Sequence, residues 1–195
     1  MPRISLRRVN EWDAPALLKL YRPYLCGCTT QCTEAEPSLQ EYIQRIDKYT
    51  YGFGWVMCEI NSVPMGFCRA FENPFEPENP FSLSLEIYVK GSMQRKGIGS
   101  GLIYLITRIL SCGNRRELSV NVPAGNTAAI SFFKSQGFTE TGCHPHQALL
   151  NSRIKAMKLE LIPDNPNAGS IIKPYLILGR DYENARAAAA GFVKV

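Results

Sequence analysis

Apolar residues recur along the chain at two spacings, every second position in some stretches and every third or fourth in others, and the two spacings separate strands from helices. Ile4, Leu6 and then Val9 alternate and predict an opening strand. Asp13 and Pro15 announce a helix whose apolar face carries Leu17, Leu18, Tyr21 and Leu25, since proline is tolerated in a first helical turn. Ser38 and Glu41 make a capping-box pattern, and Leu39, Tyr42, Ile43 and Ile46 keep helical spacing behind it. Residues 54–60 and 63–71 predict two strands joined by a short turn at Asn61-Ser62. Residues 73–80 hold three prolines and predict a loop.

The pattern is sharpest from residue 81 onward. Residues 81–89 predict a strand with Leu83, Leu85, Ile87 and Val89 on one face and Ser82, Ser84, Glu86 and Tyr88 on the other. A turn, Lys90-Gly91-Ser92-Met93-Gln94-Arg95-Lys96-Gly97-Ile98-Gly99, then opens a helix with Ile98, Leu102, Leu105, Ile106 and Ile109 on one face and Gly113 as its stop. A strand at 118–122 follows. Asn126 caps a helix that runs through Phe133 and ends at Gly137, and 138–141 and 153–161 read as two last strands. Past Ile162 the run 163–169 reads as a linker, followed by a short strand at 171–178 and an alanine-rich helix near 185–190. The order β-α-α-β-β-β-α-β-α-β-β predicts an α/β (α+β) domain over residues 1–162, with a mixed, mostly antiparallel sheet flanked by helices, and a linker with a C-terminal extension over 163–195.

Composition narrows the function. With 195 residues, 45% hydrophobic and 20% charged, the chain is long enough for a full core. Its longest apolar run, residues 101–110, is broken by Thr107 and Arg108 and falls far short of the ~20 residues that cross a bilayer. The first residues lack an apolar secretory core, so a cytoplasmic location is expected. The net charge is +5, spread thinly, with compact basic groups only at Arg7-Arg8, Arg95-Lys96 and Arg115-Arg116. That is too sparse for a nucleic-acid face and suits a small polyanionic ligand. Seven cysteines without an export signal read as reduced thiols. Cys26, Cys28 and Cys32, and Cys143-His144-Pro145-His146, match no common zinc spacing well, so no metal is expected.

A strand that enters a glycine-containing turn and then a helix offers unpaired backbone N–H groups and the positive end of the helix dipole, and both favour a phosphate. Arg95 and Lys96 add charge there. Neither a Walker A loop nor a dinucleotide fingerprint is present. Ile87-Tyr88-Val89, four residues, then Gln94-Arg95-Lys96-Gly97-Ile98-Gly99 closely resembles the acetyl-CoA signature of the GNAT superfamily of N-acetyltransferases. Asn126-Thr127-Ala128-Ala129-Ile130, with Phe133-Lys134-Ser135-Gln136-Gly137-Phe138, resembles the second conserved segment of that superfamily. Within it the chain is most similar to the phosphinothricin acetyltransferases, through Tyr21-Arg22-Pro23-Tyr24, residues 36–43 with Arg45, and Trp55-Val56. The resemblance covers roughly residues 3–161.

This resemblance implies an acyl-CoA N-acyltransferase fold and acetyl transfer from acetyl-CoA to a primary amine of a small, amino-acid-like acceptor by direct attack. It implies that the pyrophosphate rests on Gln94, Arg95, Lys96, Gly97, Ile98, Gly99 and Ser100. The pantetheine arm would pair with the strand near Ile87, Tyr88 and Val89, and Asn126 and Phe133 would also meet the donor. Backbone N–H groups near Tyr88 and Val89 would stabilise the oxyanion. The sequence departs from the branch twice. Its strand carboxylate is replaced by Ser84, which leaves Glu86, two residues on, as the candidate base with Ser84 beside it. Many relatives carry Tyr or His where Phe133 stands, and phenylalanine donates no proton, so the thiolate leaves unprotonated or Tyr104 or another tyrosine substitutes. Glu86 also fits a plain paired strand carboxylate, and Asn126 a plain N-cap. Cys26, Cys28 and Cys32 would fall in the loop walling the acceptor pocket, Arg69 could face that pocket, and Trp55, Phe67 and Phe71 read as core. A homodimer is also implied. A protein N-terminus or lysine as acceptor, or a non-catalytic acetyl-CoA-binding module, stand as the alternatives.

Overall fold

The computed structural model describes residues 3–25, 36–73, 76–111, 117–145 and 155–161. The predicted linker, the C-terminal extension, Gly113, Arg115-Arg116, the segment with Cys26, Cys28 and Cys32, and His146 lie outside them.

Strand β1 (Ile4–Arg8) leads into a 3-10 turn, Glu11–Asp13, and helix α1 (Ala14–Leu25). The helix entry is fixed upstream of the predicted signal: the Asn10 side chain accepts the Trp12 N–H at 3.0 Å and Asp13 accepts the Asn10 N–H at 2.9 Å. Helix α2 (Leu39–Gly52) starts on the predicted capping box, with the Ser38 N–H donating to Glu41 at 2.7 Å and the Glu41 N–H to Ser38 Oγ at 3.3 Å. Its inner face is Tyr42, Ile46 and Thr50. Leu39, predicted for that face, is 45% exposed, because the first helical residue projects beyond the sheet it packs on. Strands β2 (Trp55–Ile60) and β3 (Val63–Glu72) form the predicted hairpin, with Asn61 and Ser62 both at positive φ, 52° and 63°. That conformation matches the twist of the flanking strands.

Strand β4 (Ser82–Val89), helix α3 (Ile98–Ser111), strand β5 (Glu117–Pro123), helix α4 (Thr127–Ser135) and strands β6 (Thr139–Pro145) and β7 (Lys155–Leu161) complete the domain. The strands form one sheet in the order β1-β2-β3-β4-β5-β7-β6. Every neighbouring pair is antiparallel except β4 with β5. This mixed, mostly antiparallel sheet is the one the sequence predicts.

The sheet carries a core on each face. On one side Ile98, Leu102, Leu105 and Ile106 of α3, with Ile130 and Phe133 of α4, pack on Leu6, Val56, Cys58, Leu83 and Leu85. On the other, Leu17, Leu18 and Tyr21 of α1 and Tyr42 and Ile46 of α2 pack on Trp55, Met57, Phe67 and Tyr88. Both faces of β4 are therefore covered, and the serines and glutamate of its polar face lie inside the protein. Buried polar groups need partners, and those partners shape the site.

Candidate active site

Strand β4 pairs with β3 from Leu83 to Val89, but with β5 only at Ser82, Leu83 and Ser84, opposite Glu117, Leu118 and Ser119. In an antiparallel ladder, residues that exchange backbone hydrogen bonds alternate with residues that do not. The Lys90 N–H donates to the Met65 carbonyl at 2.8 Å. By that alternation Tyr88, Glu86 and Ser84 direct their backbone groups to β3, while Leu85, Ile87 and Val89 turn theirs to the other side. Beyond Ser84 the pairing with β5 has ended, so these groups line an open edge. At the last paired position the Ser119 hydroxyl donates to the Leu83 carbonyl at 3.3 Å.

The open edge leads into the turn. After a 3-10 turn, Gly91–Met93, Gln94 is extended, Arg95 takes φ 59° and Gly97 takes φ 82°. Gly97 holds the left-handed conformation at no steric cost. The first helical bond of α3 runs from the Gly101 N–H to the Gly97 carbonyl at 3.0 Å, so the N–H groups of Ile98, Gly99 and Ser100 precede it and are left for a ligand. Alternating left-handed residues before a helix N-terminus form an anion-binding concavity. The side chains of Arg95 and Lys96 are exposed beside it, whereas that of Ile98 is buried, so Ile98 can contribute only backbone.

The structure gives Gly99 a different reason from Gly97. A Cβ on Gly99 would lie 2.9 Å from Cζ and 3.2 Å from Cε2 of Phe132. Gly99 is small because α4 lays a ring across the start of α3. Asn126 caps α4, its Oδ1 accepting the Ala129 N–H at 3.1 Å. Phe133 is 4% exposed and sits in the core, edge-on to Phe132 and Phe138 at 5.2 Å each. The aromatic side chain that α4 brings to the turn is thus Phe132, which the sequence reading passed over.

The candidate base has a partner. Glu86 lies directly across from Arg69 in the β3–β4 register, and its Oε2 accepts from Nε at 2.8 Å and from Nη2 at 2.7 Å. The two side chains are 9% and 6% exposed. The guanidinium also lies over Trp55 and Phe71 at 5.2 Å each and Tyr49 at 5.6 Å. Burial opposes the Arg69 charge, but the Glu86 carboxylate together with Tyr88 and Tyr42 outweighs it and the guanidinium stays above its ordinary range. Burial, and then the Glu86 charge, push the Tyr88 phenol well above its usual value. Arg69 is therefore held against two of the predicted core rings, fully buried Trp55 and half-buried Phe71, while the third, Phe67, is fully buried in the core. Arg69 and Glu86 each sit at an alternating strand position, and the hairpin-like pairing of β3 with β4 is the signal that could have joined them.

Ser84 shares the Glu86 face, as strand parity predicts, in a buried polar seam. Its hydroxyl lies 3.4 Å from Asn73 Oδ1 and 3.5 Å from Ser119 Oγ, and the Asn73 amide donates to Ser82 Oγ at 2.9 Å. Tyr104 is half-buried on α3, packed against the core. Among the described residues no three metal-ligating side chains converge, and no helix is long and apolar enough to cross a membrane.

The acetyltransferase (GNAT) family pattern matches residues 14–138 of this chain. The chain belongs to that family. As a GNAT acetyltransferase it is an acetyl-CoA-dependent N-acetyltransferase, and phosphinothricin acetyltransferases are among the proteins it is similar to. It is 20% identical over 141 residues to the phosphinothricin N-acetyltransferase of Streptomyces viridochromogenes, covering 71% of this chain and 76% of the relative. YncA of Salmonella typhimurium, solved with its cofactor acetyl-CoA, superposes with a TM-score of 0.75 at 17% identity, over 83% of this chain and 95% of that one. A phosphinothricin acetyltransferase of Sinorhizobium meliloti in complex with acetyl-CoA superposes with a TM-score of 0.73 at 18% identity, over 82% and 88%. These two structures share the GNAT fold.

Proposed function

We propose that this GNAT enzyme transfers the acetyl group of acetyl-CoA to the primary amine of a small, amino-acid-like acceptor by direct attack. The observation that carries this reading is the continuous path from the open edge of β4 into the anion-binding turn. The N–H groups of Ile98, Gly99 and Ser100, with the turn from Gln94 to Gly97 and the charges of Arg95 and Lys96, suit a pyrophosphate. The N–H and C=O groups of Leu85 and Ile87 and the N–H of Val89, turned to the open edge of β4, suit an amide-containing arm, which pairs with a strand edge as another strand would. The Asn126 cap uses only Oδ1 as an acceptor, so the side-chain amide is the part of this residue that would meet the donor.

Acetyl-CoA supplies an activated thioester. The protein must then hold the thioester carbonyl, accept a proton from the amine and keep the two reactants aligned. Of the two backbone N–H groups expected near the carbonyl oxygen, that of Tyr88 is directed to β3 by strand alternation, which leaves that of Val89, with Ile87 as its neighbour on the open edge. Arg69 occupies Oε2 of Glu86, so Oε1 is the atom free to take a proton, through an ordered water. Phe133 donates no proton. A thiol with a pKa near ~8.5 leaves as the thiolate without one.

Incubating the protein with acetyl-CoA and a panel of free amino acids, other primary amines and peptides, then reading products by mass spectrometry, tests this. An acetylated small amine is the expected product. Acetylation confined to peptides would move the acceptor to proteins. Coenzyme A release with no acetylated amine in any mixture would overturn the reading.

A further inference from the structure

We infer that Tyr24 is a positioning residue for the donor's arm: its hydroxyl holds the Val89 carbonyl on the open edge of β4 and ties helix α1 to that edge. This rests on the function proposed above. The Tyr24 hydroxyl donates to the Val89 carbonyl oxygen at 2.6 Å, across 65 residues of sequence. The Gln94 side-chain amide donates to the same oxygen at 3.3 Å. Val89 is the last strand residue of the edge, and Gln94 is the first residue of the signature turn. One carbonyl therefore joins three parts of the site: the wall made by α1, the strand edge and the turn.

A carbonyl oxygen accepts two hydrogen bonds. The tyrosine bond is short, and the glutamine bond is at the long end of the range. An arm laid along the edge brings an amide N–H toward this oxygen and takes the place of the weaker donor, the exposed Gln94 side chain, which also lies at hydrogen-bond distance from Tyr24. Tyr24 stays. Its ring packs on Tyr88 at 5.2 Å, and Tyr88 meets Tyr21 at 5.0 Å and Phe67 at 5.1 Å, so the hydroxyl is carried on a stack of buried rings rather than on a loose side chain. Burial raises the Tyr24 phenol above its ordinary value, so the group remains a donor throughout the neutral range. With the hydroxyl in place the carbonyl points where an arm can use it. Without it the carbonyl and the end of α1 lose their common reference.

The test is Tyr24→Phe, which keeps the ring and removes only the donor. Calorimetric titrations compare coenzyme A with adenosine 3′,5′-bisphosphate, which lacks the arm. Coenzyme A should bind about three- to ten-fold more weakly to the variant, the worth of one neutral hydrogen bond. The bisphosphate should bind as it does to the parent. KM for acetyl-CoA should rise by the same factor, with kcat nearly unchanged and the melting temperature lower by only about 2–4 °C. A purely structural role would move the melting temperature and both affinities together, and that result would overturn the inference. So would unchanged coenzyme A affinity in the variant while the parent binds it. A parent that binds neither ligand would overturn the proposed function, and this inference with it.

Discussion

Glu86→Gln is the substitution that asks most of the reasoning, because one side chain holds a buried arginine and is also the candidate base. Removing one partner of a buried ion pair costs about 3–5 kcal/mol, since the other charge is left without compensation. Arg69 cannot escape by losing its proton, because its guanidinium stays charged throughout the accessible range. Glutamine still accepts one hydrogen bond, and the rings of Trp55, Phe71 and Tyr49 face the cation, so the lower end, about 3 kcal/mol, is expected. For a domain of this size that is a fall of about 6–12 °C in melting temperature. Urea unfolding should show a lower midpoint with an unchanged slope. If Glu86 also takes the amine's proton, turnover measured where both proteins are folded should drop ~10²–10⁴-fold and climb with pH toward the amine's own pKa. The double variant Arg69→Met/Glu86→Leu separates the two roles. Removing both charges should return most of the stability, but not the activity. A Glu86→Gln protein within about 0.5 kcal/mol of the parent would refute the account of the buried pair. A double variant with parental turnover would refute Glu86 as the base.

Three further perturbations follow from single positions. Gly97→Ala places a side chain at φ 82°, which costs about 1–2 kcal/mol of strain. It should weaken acetyl-CoA binding tenfold or more by calorimetry, and unchanged affinity in a folded variant would remove the turn from the site. Gly99→Ala puts a Cβ 2.9 Å from Phe132 and should destabilise by about 1–3 kcal/mol. Adding Phe132→Leu should recover much of that by urea unfolding, and an equal or larger loss in the double variant would show that the ring is not what excludes the side chain. Asp13 sits partly buried, which opposes its charge, yet its two hydrogen bonds from Arg7, both at 2.7 Å, and one from the Asn10 N–H hold its carboxyl below the usual range. A depressed carboxyl stabilises the fold above its unfolded pKa of about 3.9 and loses that contribution as the pH falls through the folded value. Asp13→Asn should therefore be less stable than the parent at pH 7, and the gap should close in acid unfolding below about pH 4. A gap independent of pH would refute the linkage.

The elements were legible wherever one face of a segment meets the core. The α3 stripe from Ile98 to Ile106, the capping box at Ser38 and Glu41 and the β2–β3 turn at Asn61-Ser62 all carry their signal within one or two turns of chain, and each forms where the pattern puts it. Leu39 shows where the periodicity overreaches. It keeps the helical spacing, but as the first residue of α2 it stays 45% exposed. The Asn10 cap was missed for a related reason. The 3-10 turn it opens has no buried residue, so no apolar period marks it.

The two halves of the site differ in the same way. The donor half is built from backbone: N–H groups before a helix, a left-handed glycine and a strand edge that β5 leaves uncovered. Backbone features of this kind are written locally, as glycines, turns and a strand–turn–helix order, and they can be read without knowing what lies across the sheet. The contacts around the candidate base and at the end of the strand edge are built from side chains whose neighbours are set by register. Arg69 is 17 residues from Glu86 and Tyr24 is 65 from Val89, and shifting β3 by one residue would put Arg69 on the opposite face from Glu86. For that reason strand parity was enough to put Glu86 and Ser84 on one face but not to find the arginine that takes half of the carboxylate. If Glu86 is the base, Arg69 leaves it one oxygen to offer, so the acceptor amine would approach from the Oε1 side. Tyr24, near the end of α1, and the open edge of β4 would then border that approach, and an amine whose substituents keep it from Oε1 should not be acetylated.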